Sequence, residues 1–288
     1  MDIQLPYVDR LLSKLEEGDR TFIDELGLHM HWGYWAEEDA PDASLEGYRE
    51  AADRLAVLHF EMADIRPGDR VLDVGCGFGG AIALLNERME GLEIAGLNID
   101  PRQIHWARET VLPRAKAANR ISFHVGNACA LPYAPASFDV VYAIECIFHF
   151  PHRGIFLSEA RRVLRPGGKL VISDFVVFGP AIPLMLAVVP FFRLHMKAVY
   201  GNSTSALTKG IYQRMADRRG FHMTAIRDIT SNTLPTYEVM KAFNEPLDDR
   251  STKRANQFIE WTSRLRLFRY MLFLLSKPDT EPTPAGAV

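Results

Sequence analysis

The chain has 288 residues and 48% of them are hydrophobic, which is enough for one large domain or for one domain with a cap. Its 33 basic and 36 acidic residues give a net charge of −3, and no basic block alternates with aromatic residues, so a nucleic-acid partner is not expected. The three cysteines have no metal or redox spacing, which predicts reduced thiols and a cytoplasmic protein.

Residues 1–66 are predicted to form a helical arm or lid. The first ten residues contain Asp2 and Asp9 and have no apolar core, so no signal peptide is expected. The segment from Pro6 to Glu17 then predicts an amphipathic helix. Its apolar face is formed by Tyr7, Leu11, Leu12 and Leu15.

An aromatic segment follows, with the sequence His29-Met30-His31-Trp32-Gly33-Tyr34-Trp35. Two histidines that are two residues apart cannot share one face of a helix, which weakens a metal site here. The aromatic side chains either contribute to a functional site or anchor the arm to the core. Ser44 is the predicted N-cap of a long helix with one buried stripe, which Pro67 and Gly68 end.

The stretch from Val71 to Gly80 is the strongest local signal in the chain. An apolar run with an acid at Asp73 leads into three alternating glycines, Gly75, Gly77 and Gly79, and then Gly80. This order predicts a buried strand, a tight turn and the start of a helix. Glycines in such a turn let a ligand lie against bare backbone, where the first N–H groups of the helix also point.

Asp73 separates two classes of ligand for this turn. The spacing of Gly75, Gly77 and Gly80 also fits the dinucleotide pattern G-x-G-x-x-G, but a carboxylate two residues before it would repel a pyrophosphate. The same carboxylate suits a ligand with an ammonium group, such as the amino-acid end of S-adenosylmethionine. A helix cap, or a core acid held by backbone amides, is the alternative interpretation of Asp73.

This ten-residue pattern resembles that of the class I S-adenosylmethionine-dependent methyltransferases, and the similarity continues through Phe175 and more loosely to Pro278. The resemblance implies an α/β fold: a Rossmann-like, doubly wound sheet of seven strands whose last strand is antiparallel. It implies S-adenosylmethionine as the cofactor, held by Asp73, Gly75 and Gly77. The expected parts are a Rossmann core over 67–178, its completion with a helical, apolar cap over 179–268, the last strand over 269–278 and a disordered tail over 279–288.

The resemblance also assigns roles to residues on either side of the glycine turn. The aromatic segment matches an H-x-G-Y-W motif that folds over the cofactor, which gives Tyr34 a cofactor contact and Trp35 a role in shaping the acceptor site. Asn98 and Ile99 end the second predicted strand, where many methyltransferases place an acid on the ribose. The amide oxygen of Asn98 can still accept a hydrogen bond, and Asp100 is the substitute.

Two further cofactor contacts are predicted in the following segments. Gln103 matches a glutamine that contacts the cofactor in similar proteins, although a glutamine is more often solvated surface. Asn127 and Ala128 belong to a Gly-Asn-Ala sequence that resembles the family's G-D-A, where the acid accepts from the adenine amino group. The side-chain oxygen of Asn127 can accept that hydrogen bond.

The candidate catalytic residues lie after the fourth and within the fifth predicted strand. Glu145 and His149 follow the carboxyl end of a strand, where doubly wound sheets bind ligands. By resemblance, His149 is a candidate general base, Glu145 closes over the cofactor or orients His149, and Asp174 supports the histidine. Alternatively, His149 is a loop histidine held by backbone and Asp174 belongs to a structural pair with an unseen Arg or His.

Two segments of the C-terminal part raise the question of a membrane. Phe175 to Phe192 has no charge, but it contains three prolines and is interpreted as a strand end and an apolar cap segment. Tyr270 to Leu275 resembles the antiparallel last strand of the family. The alternative for Arg264 to Leu275 is an amphipathic helix on a membrane surface.

The function that the resemblance implies is methyl transfer to O, C or N of a small, partly apolar acceptor: an isoprenoid, a polyketide, an aromatic aglycone or a sugar. A membrane-surface contact and a homo-oligomer are possible. No cluster of histidines and acids has convincing metal-ligand spacing. Two alternatives are a catalytically silent S-adenosylmethionine-binding adaptor for lipids or membranes, and a nicotinamide oxidoreductase.

Overall fold

A computed structural model gives the fold of this chain. It describes residues 5–20, 23–24, 27–36, 42, 44–201, 207–244 and 250–279. The tail for which disorder is predicted lies outside the described residues from position 280 onward.

A seven-stranded sheet with the order β3-β2-β1-β4-β5-β7-β6 organises the chain. Its strands are β1 Arg70–Val74, β2 Glu93–Asn98, β3 Arg120–Val125, β4 Phe138–Ile144, β5 Leu164–Val177, β6 His222–Asp228 and β7 Phe268–Ser276. The last strand, β7, is antiparallel to both β5 and β6. The α/β class, the Rossmann-like topology and the antiparallel last strand are therefore confirmed.

Helices cover both faces of this sheet. They are α1 Pro6–Glu16, α2 Leu45–Ala63, α3 Gly80–Arg88, α4 Pro101–Val111, α5 Arg153–Val163, α6 Ile182–Tyr200, α7 Lys209–Asp217, α8 Thr230–Thr233, α9 Thr236–Asn244 and α10 Arg250–Arg264. Successive residues of a strand point to opposite faces, so Val71 joins one apolar cluster and Leu72 joins the other. The predicted two-sided burial of the sheet follows from this alternation.

The carboxyl ends of β1, β2 and β4 meet at one edge of the sheet. β1 pairs with β2 on one side and with β4 on the other, both in parallel. The amide of Gly75, just after β1, donates to the carbonyl of Leu97 in β2 at 2.7 Å. The turn after β1 is therefore fixed against the neighbouring strand, and it opens directly into α3.

The C-terminal third agrees with the sequence expectations for its helical segment and its last strand. The segment from Leu234 to Leu267, predicted to be largely helical, holds α9 and α10. The segment that could have been a membrane-surface helix is instead the end of α10 and the strand β7, which is paired on both sides and mostly buried. The membrane-helix alternative for Arg264–Leu275 is therefore wrong.

The uncharged run from Phe175 to Phe192 becomes the end of β5 and the first part of α6. By length and composition the segment Gly179–Tyr200 could cross a membrane, and 11% of its most apolar window is buried in the fold. One face of α6 packs on α10, where the rings of Phe192 and Phe258 stack at 4.4 Å. The predicted combination of a strand end and an apolar cap segment agrees with this placement.

Candidate active site

The glycine turn after β1 presents bare backbone to an open space. Gly75 and Gly77 have φ values of +82° and +54°, in the left-handed region that favours glycine. A Cβ at Gly75 would lie 2.6 Å from Cys146, whereas a Cβ at Gly77 would meet no atom closer than Nε2 of Gln103 at 3.9 Å. Gly75 is thus required for packing, and Gly77 keeps the floor of the space clear.

This open space is a cavity of about 110 Å³ between the sheet edge and the N-terminal arm. The predicted site residues in its lining are Asp73, Gly75, Gly77, Asn98, Ile99, Gln103, Asn127, Ala128, Glu145 and His149. Arm residues close the other side, namely Leu5, Tyr7, Leu28, His29, Met30 and His31. One cavity therefore joins the glycine turn to the candidate base.

Asp73 is a buried carboxyl group at the floor of this cavity. Burial raises the pKa of Asp73 to about 8, because the charged form loses its hydration. Within the described part of the chain, no hydrogen bond from a cationic side chain or a backbone amide to Asp73 is found, and the nearby Tyr142 hydroxyl offsets only part of the rise in its pKa. An ammonium group in the cavity would compensate the buried negative charge.

A second buried acceptor faces the same cavity from the arm. Nδ1 of His31 donates to the carbonyl of Trp32 at 2.9 Å, which leaves Nε2 as an acceptor that has no partner among the described residues. Burial lowers the pKa of His31 and keeps the ring neutral. Asp73 and His31 together fit the amino and hydroxyl donors of S-adenosylmethionine, which is the cofactor that the residues of this site accommodate.

Local hydrogen bonds hold each of the three polar residues that are predicted on the cofactor side. Nδ2 of Asn98 donates to Oε1 of Gln103 at 2.9 Å, and its oxygen accepts from the Ile99 amide at 2.7 Å. Gln103 is buried and donates to the sulfur of Met30 at 3.3 Å, so it is not solvated surface. Oδ1 of Asn127 accepts from the Cys129 amide at 2.8 Å. These bonds fix the side chains toward the cavity.

The structure does not bring every predicted cofactor residue to the cavity. Asp100, the substitute for Asn98, caps α4 and pairs with Arg102 at 2.7 Å, outside the cavity lining. Tyr34 also lies outside the lining; its amide donates to the carbonyl of Ala51. Trp35 is buried against α2 and α9, as expected of an aromatic anchor. Besides Leu5 and Tyr7, the arm residues that face the cavity are Leu28 to His31, which begin six residues before Tyr34.

Glu145 connects the aromatic segment to the sheet. Its Oε1 accepts from the amide of Trp32 at 2.7 Å and from the hydroxyl of Tyr270 at 2.6 Å. Burial raises its pKa to about 8. The backbone of Glu145 is left-handed, with a φ of +47°, and such strain in a residue other than glycine is typical of functional sites. These contacts hold the arm over the cavity, and none of them involves His149.

His149 lies in the lining of the cavity, in the short helical turn Ile147–His149 that follows β4. Its Nε2 is 3.4 Å from the hydroxyl of Tyr7, and the two rings stack with centroids 6.0 Å apart. Burial, with a contribution from the positive charge of Arg153, lowers the pKa of His149 to about 4. The imidazole is therefore neutral at physiological pH and can accept a proton.

Asp174 is placed in a buried ion pair away from the cavity. Its Oδ2 is 3.1 Å from Nη2 of Arg153, it also accepts from the Tyr212 hydroxyl, and Oδ1 accepts from the Phe175 amide at 2.8 Å. No described contact joins Asp174 to His149. The geometry matches the alternative of a structural pair, with Arg153 as the partner that the sequence did not identify.

Two elements of the site could not be identified from sequence. Tyr7 was predicted as one residue of an apolar helix face, and nothing in its spacing indicates that this face meets His149. Met30 and His29 belong to the aromatic segment, but the resemblance points to its later residues instead. The two closely spaced histidines of this segment are a possible sequence signal for His29, because buried histidines need hydrogen-bond partners. In the structure, Nε2 of His29 contacts Asp53 at 2.9 Å.

Comparison with known proteins shows the family of this chain. A family model described as a methyltransferase domain matches residues 72–172. The methyltransferase GfsG of Streptomyces halstedii is 35% identical over 209 residues, covering 72% of this chain and 71% of that protein. The 27-O-demethylrifamycin SV methyltransferase of Amycolatopsis mediterranei is 32% identical over 279 residues, covering 93% of this chain and 98% of that protein.

Solved structures share the fold at lower identity. The [4+2]-cyclase SpnF superposes with a TM-score of 0.75 at 22% identity, covering 97% of this chain and 99% of that chain. The mycolic acid cyclopropane synthase CmaA1, in complex with S-adenosylhomocysteine, gives a TM-score of 0.77 at 17% identity, covering 96% of this chain and 100% of that chain. These similarities establish the fold and leave the chemistry to the site itself.

Proposed function

The chain belongs to the class I S-adenosylmethionine-dependent methyltransferases, and on that premise we propose that it methylates a hydroxyl oxygen of a small, partly apolar acceptor, with His149 as the base. The observation that carries this proposal is the single cavity that joins Asp73 and the glycine turn to His149. Bound S-adenosylmethionine supplies an electrophilic methyl group whose leaving group, a neutral thioether, needs no acid. What the protein must add is alignment and a proton acceptor.

Alignment follows from the fixed positions of the lining residues. Asp73 and the backbone around Gly75 and Gly77 would hold the amino-acid end, while Asn98, Gln103 and Asn127 would hold the nucleoside. Positioning of two reactants in this way is worth roughly 7–11 kcal/mol of the barrier. Glu145 contributes by holding the Trp32 amide, and with it the arm that excludes water from the cavity.

His149 would take the proton that the acceptor hydroxyl loses. Because its pKa is held near 4, the ring is neutral across the physiological range. The Tyr7 hydroxyl, whose own pKa is raised by burial, stays protonated and donates to Nε2 before the acceptor enters. An acceptor hydroxyl that replaces this hydrogen bond would meet the free electron pair of Nε2.

The acceptor is proposed to be partly apolar because apolar side chains contribute to the lining of the cavity that contains His149. They include Leu5, Leu28, Phe150 and Pro151. The relatives add support: the name of the Amycolatopsis protein describes O-methylation of 27-O-demethylrifamycin SV, a small molecule. A polyketide, isoprenoid, aromatic aglycone or sugar with a free hydroxyl is the acceptor class that we propose.

The test begins with labelled S-adenosylmethionine and an extract of the host, followed by identification of the labelled product. A labelled small molecule with a new methyl ether supports the proposal. Binding of S-adenosylmethionine without any labelled product would overturn it in favour of the silent adaptor. Binding of NADH in place of S-adenosylmethionine would overturn it in favour of the oxidoreductase.

The role of His149 is then tested with the identified acceptor. His149→Ala should lower kcat by about 10²–10⁴-fold, the usual contribution of a general base, and leave the Kd of S-adenosylmethionine unchanged. His105→Ala is the matched control, since His105 is an exposed histidine on α4 that pairs with Glu109. In the wild type, kcat/KM should fall as pH decreases through about 4, where His149 becomes protonated. Unchanged turnover in His149→Ala would remove His149 from the mechanism.

A further inference from the structure

The outer face of α6 is an exposed and largely apolar surface. The inner face packs on the protein through buried Met185 and Val199. Three large side chains of the outer face, Leu186, Phe191 and Leu194, are 70%, 80% and 78% exposed. The outer face as a whole is formed by Pro183, Leu184, Leu186, Ala187, Val189, Pro190, Phe191, Arg193, Leu194, Lys197 and Ala198, and is called the α6 face below.

Positive charge borders the α6 face at its C-terminal half. Arg193 and Lys197 point outward with the apolar residues, and α6 contains no acidic residue. Arg254 of α10 adds a cation beside α6, with Nη1 3.5 Å from Nε2 of His195. Among the described residues, no carboxylate forms an ion pair with Arg193, Lys197 or Arg254. An apolar strip bordered by cations is complementary to a partner that combines an apolar interior with negative charges at its surface.

The C-terminal end of α6 reaches a residue of the cavity lining. The ring of Tyr200, at the end of α6, is 6.2 Å from the ring of Tyr7. Tyr7 lines the cavity and contacts His149. α6 is therefore connected to the cavity through Tyr200 and Tyr7.

Three possible occupants of the α6 face differ in what they require. A stable dimer buries about 800 Å² on each partner, and a helix of 19 residues offers a strip only about 28 Å long and one helix wide. A second copy would also bring no acid from its own α6 to the cations. A membrane-spanning helix would have to leave α10, on which its inner face packs. A helix that lies flat on a lipid surface keeps its packing on α10, and its exposed apolar side chains are removed from water.

We propose that the α6 face docks the protein on the surface of an anionic lipid bilayer. Phe191, Leu194 and Leu186 would insert at the level of the acyl chains, and Arg193 and Lys197 would contact the phosphate groups. This docking does not depend on which acceptor is methylated. If the proposed function holds, an apolar acceptor dissolved in the bilayer would enter the cavity beside Tyr7 without crossing bulk water.

The test measures sedimentation of the full-length protein with lipid vesicles, in the absence of any acceptor. Vesicles of phosphatidylcholine with phosphatidylglycerol should bind the protein, and vesicles of pure phosphatidylcholine should bind it less. Phe191→Ser and Leu194→Ser should each lower the partition coefficient by about tenfold or more, because a large apolar side chain is lost from the lipid. Arg193→Gln and Lys197→Gln should each lower it by about fivefold on anionic vesicles.

Leu112→Ser is the matched control, because Leu112 is 37% exposed and lies away from α6, and it should bind vesicles like the wild type. Each variant is first shown to bind S-adenosylmethionine with the wild-type Kd, which excludes misfolding. No binding of the wild type to anionic vesicles overturns the proposal. So does a dimer in solution that Phe191→Ser dissociates, because the α6 face is then a protein interface. Neither result bears on methyl transfer, which the labelling experiment tests separately.

Discussion

At the scale of single residues, Asp73 combines two properties that conflict in the free protein. It is buried, which favours the neutral acid, and it faces a cavity suited to a cation, which favours the carboxylate. Since its pKa is raised to about 8, the side chain is mostly protonated at pH 7 before a ligand binds. The arrival of an ammonium group should lower that pKa and expel the proton.

Binding of S-adenosylmethionine at pH 7 is therefore expected to release close to one proton from Asp73. The number is measured by titration calorimetry in buffers of different ionisation enthalpy. Asp73→Asn should reduce the release by about one proton and raise the Kd by about ten- to a hundredfold, the usual contribution of a hydrogen bond to a charged group. Asp100→Asn is the control, because Arg102 and a backbone amide keep the pKa of Asp100 low and its carboxyl already ionised. Equal proton release in the wild type and in Asp73→Asn would contradict this assignment.

At the scale of elements, the turn between β1 and α3 contains two glycines with different reasons for being glycine. A methyl group at Gly75 would collide with Cys146, which lies at the end of β4, so the whole junction of β1 and β4 would have to move. A methyl group at Gly77 would meet open space and would project where a ligand lies. Both positions have a positive φ, so each substitution also carries a backbone cost of about 1–2 kcal/mol.

Gly75→Ala and Gly77→Ala should therefore separate stability from ligand affinity. Gly75→Ala should lower the free energy of unfolding by about 2–4 kcal/mol, as the sum of overpacking and backbone strain. Gly77→Ala should lower it by about 1–2 kcal/mol and yet weaken S-adenosylmethionine binding strongly. Urea unfolding and calorimetry of the same two samples measure both effects. A Gly77→Ala protein that binds the cofactor normally would show that the ligand does not lie against this backbone.

The ion pair of Asp174 and Arg153 connects β5 to the start of α5. Removal of one partner from a buried pair leaves an uncompensated charge, so Asp174→Asn should lower the free energy of unfolding by about 3–5 kcal/mol. Tyr212→Phe, which removes one hydroxyl from the same cluster, should cost about 1 kcal/mol. Replacement of both charges in Asp174→Leu/Arg153→Met should recover much of the stability. Thermal unfolding gives the order of the three variants.

The result for Asp174→Asn also decides between the two interpretations of this acid. If Asp174→Asn is as stable as the wild type but inactive, the interpretation that Asp174 supports His149 in catalysis is correct. A variant that is unstable but retains its turnover at low temperature would establish the structural pair.

At the scale of the whole molecule, the strands, helices and turns could be predicted from the sequence because they depend on local patterns. The apolar run and glycines from Val71 to Gly80 encode a strand, a turn and a helix within ten residues, and the strands on either side have similar short signals. Partners that are distant in sequence could not be predicted. Asp174 pairs with a residue 21 positions before it and with Tyr212, 38 positions after it. The position of Tyr34 outside the cavity lining could not be predicted for the same reason, because packing of the arm decides which residues face the cavity.

The arm itself is a part of the molecule whose role as a lid can be tested directly. The apolar residues of α1 form a cluster of their own with Phe78, next to the glycine turn, and they belong to neither of the two clusters that cover the sheet. Arg102 of α4 bonds to Asp9 of α1 at 2.6 Å, and Tyr7 of α1 contacts His149. The first turn of α1 therefore contacts both α4 and the turn that carries His149.

Deletion of residues 1–17 should open the cavity while the sheet still folds. The truncated protein is expected to unfold cooperatively, because each sheet cluster is intact, but to release S-adenosylmethionine much faster than the full chain. Stopped-flow measurement of the dissociation rate, with circular dichroism as the control for folding, tests both parts. Asp9→Ala, which removes an exposed ion pair alone, should change that rate by less than about fivefold, since such pairs contribute 1 kcal/mol or less. A truncated chain that does not fold would show that α1 belongs to the core, whereas unchanged release of the cofactor would show that it is not a lid.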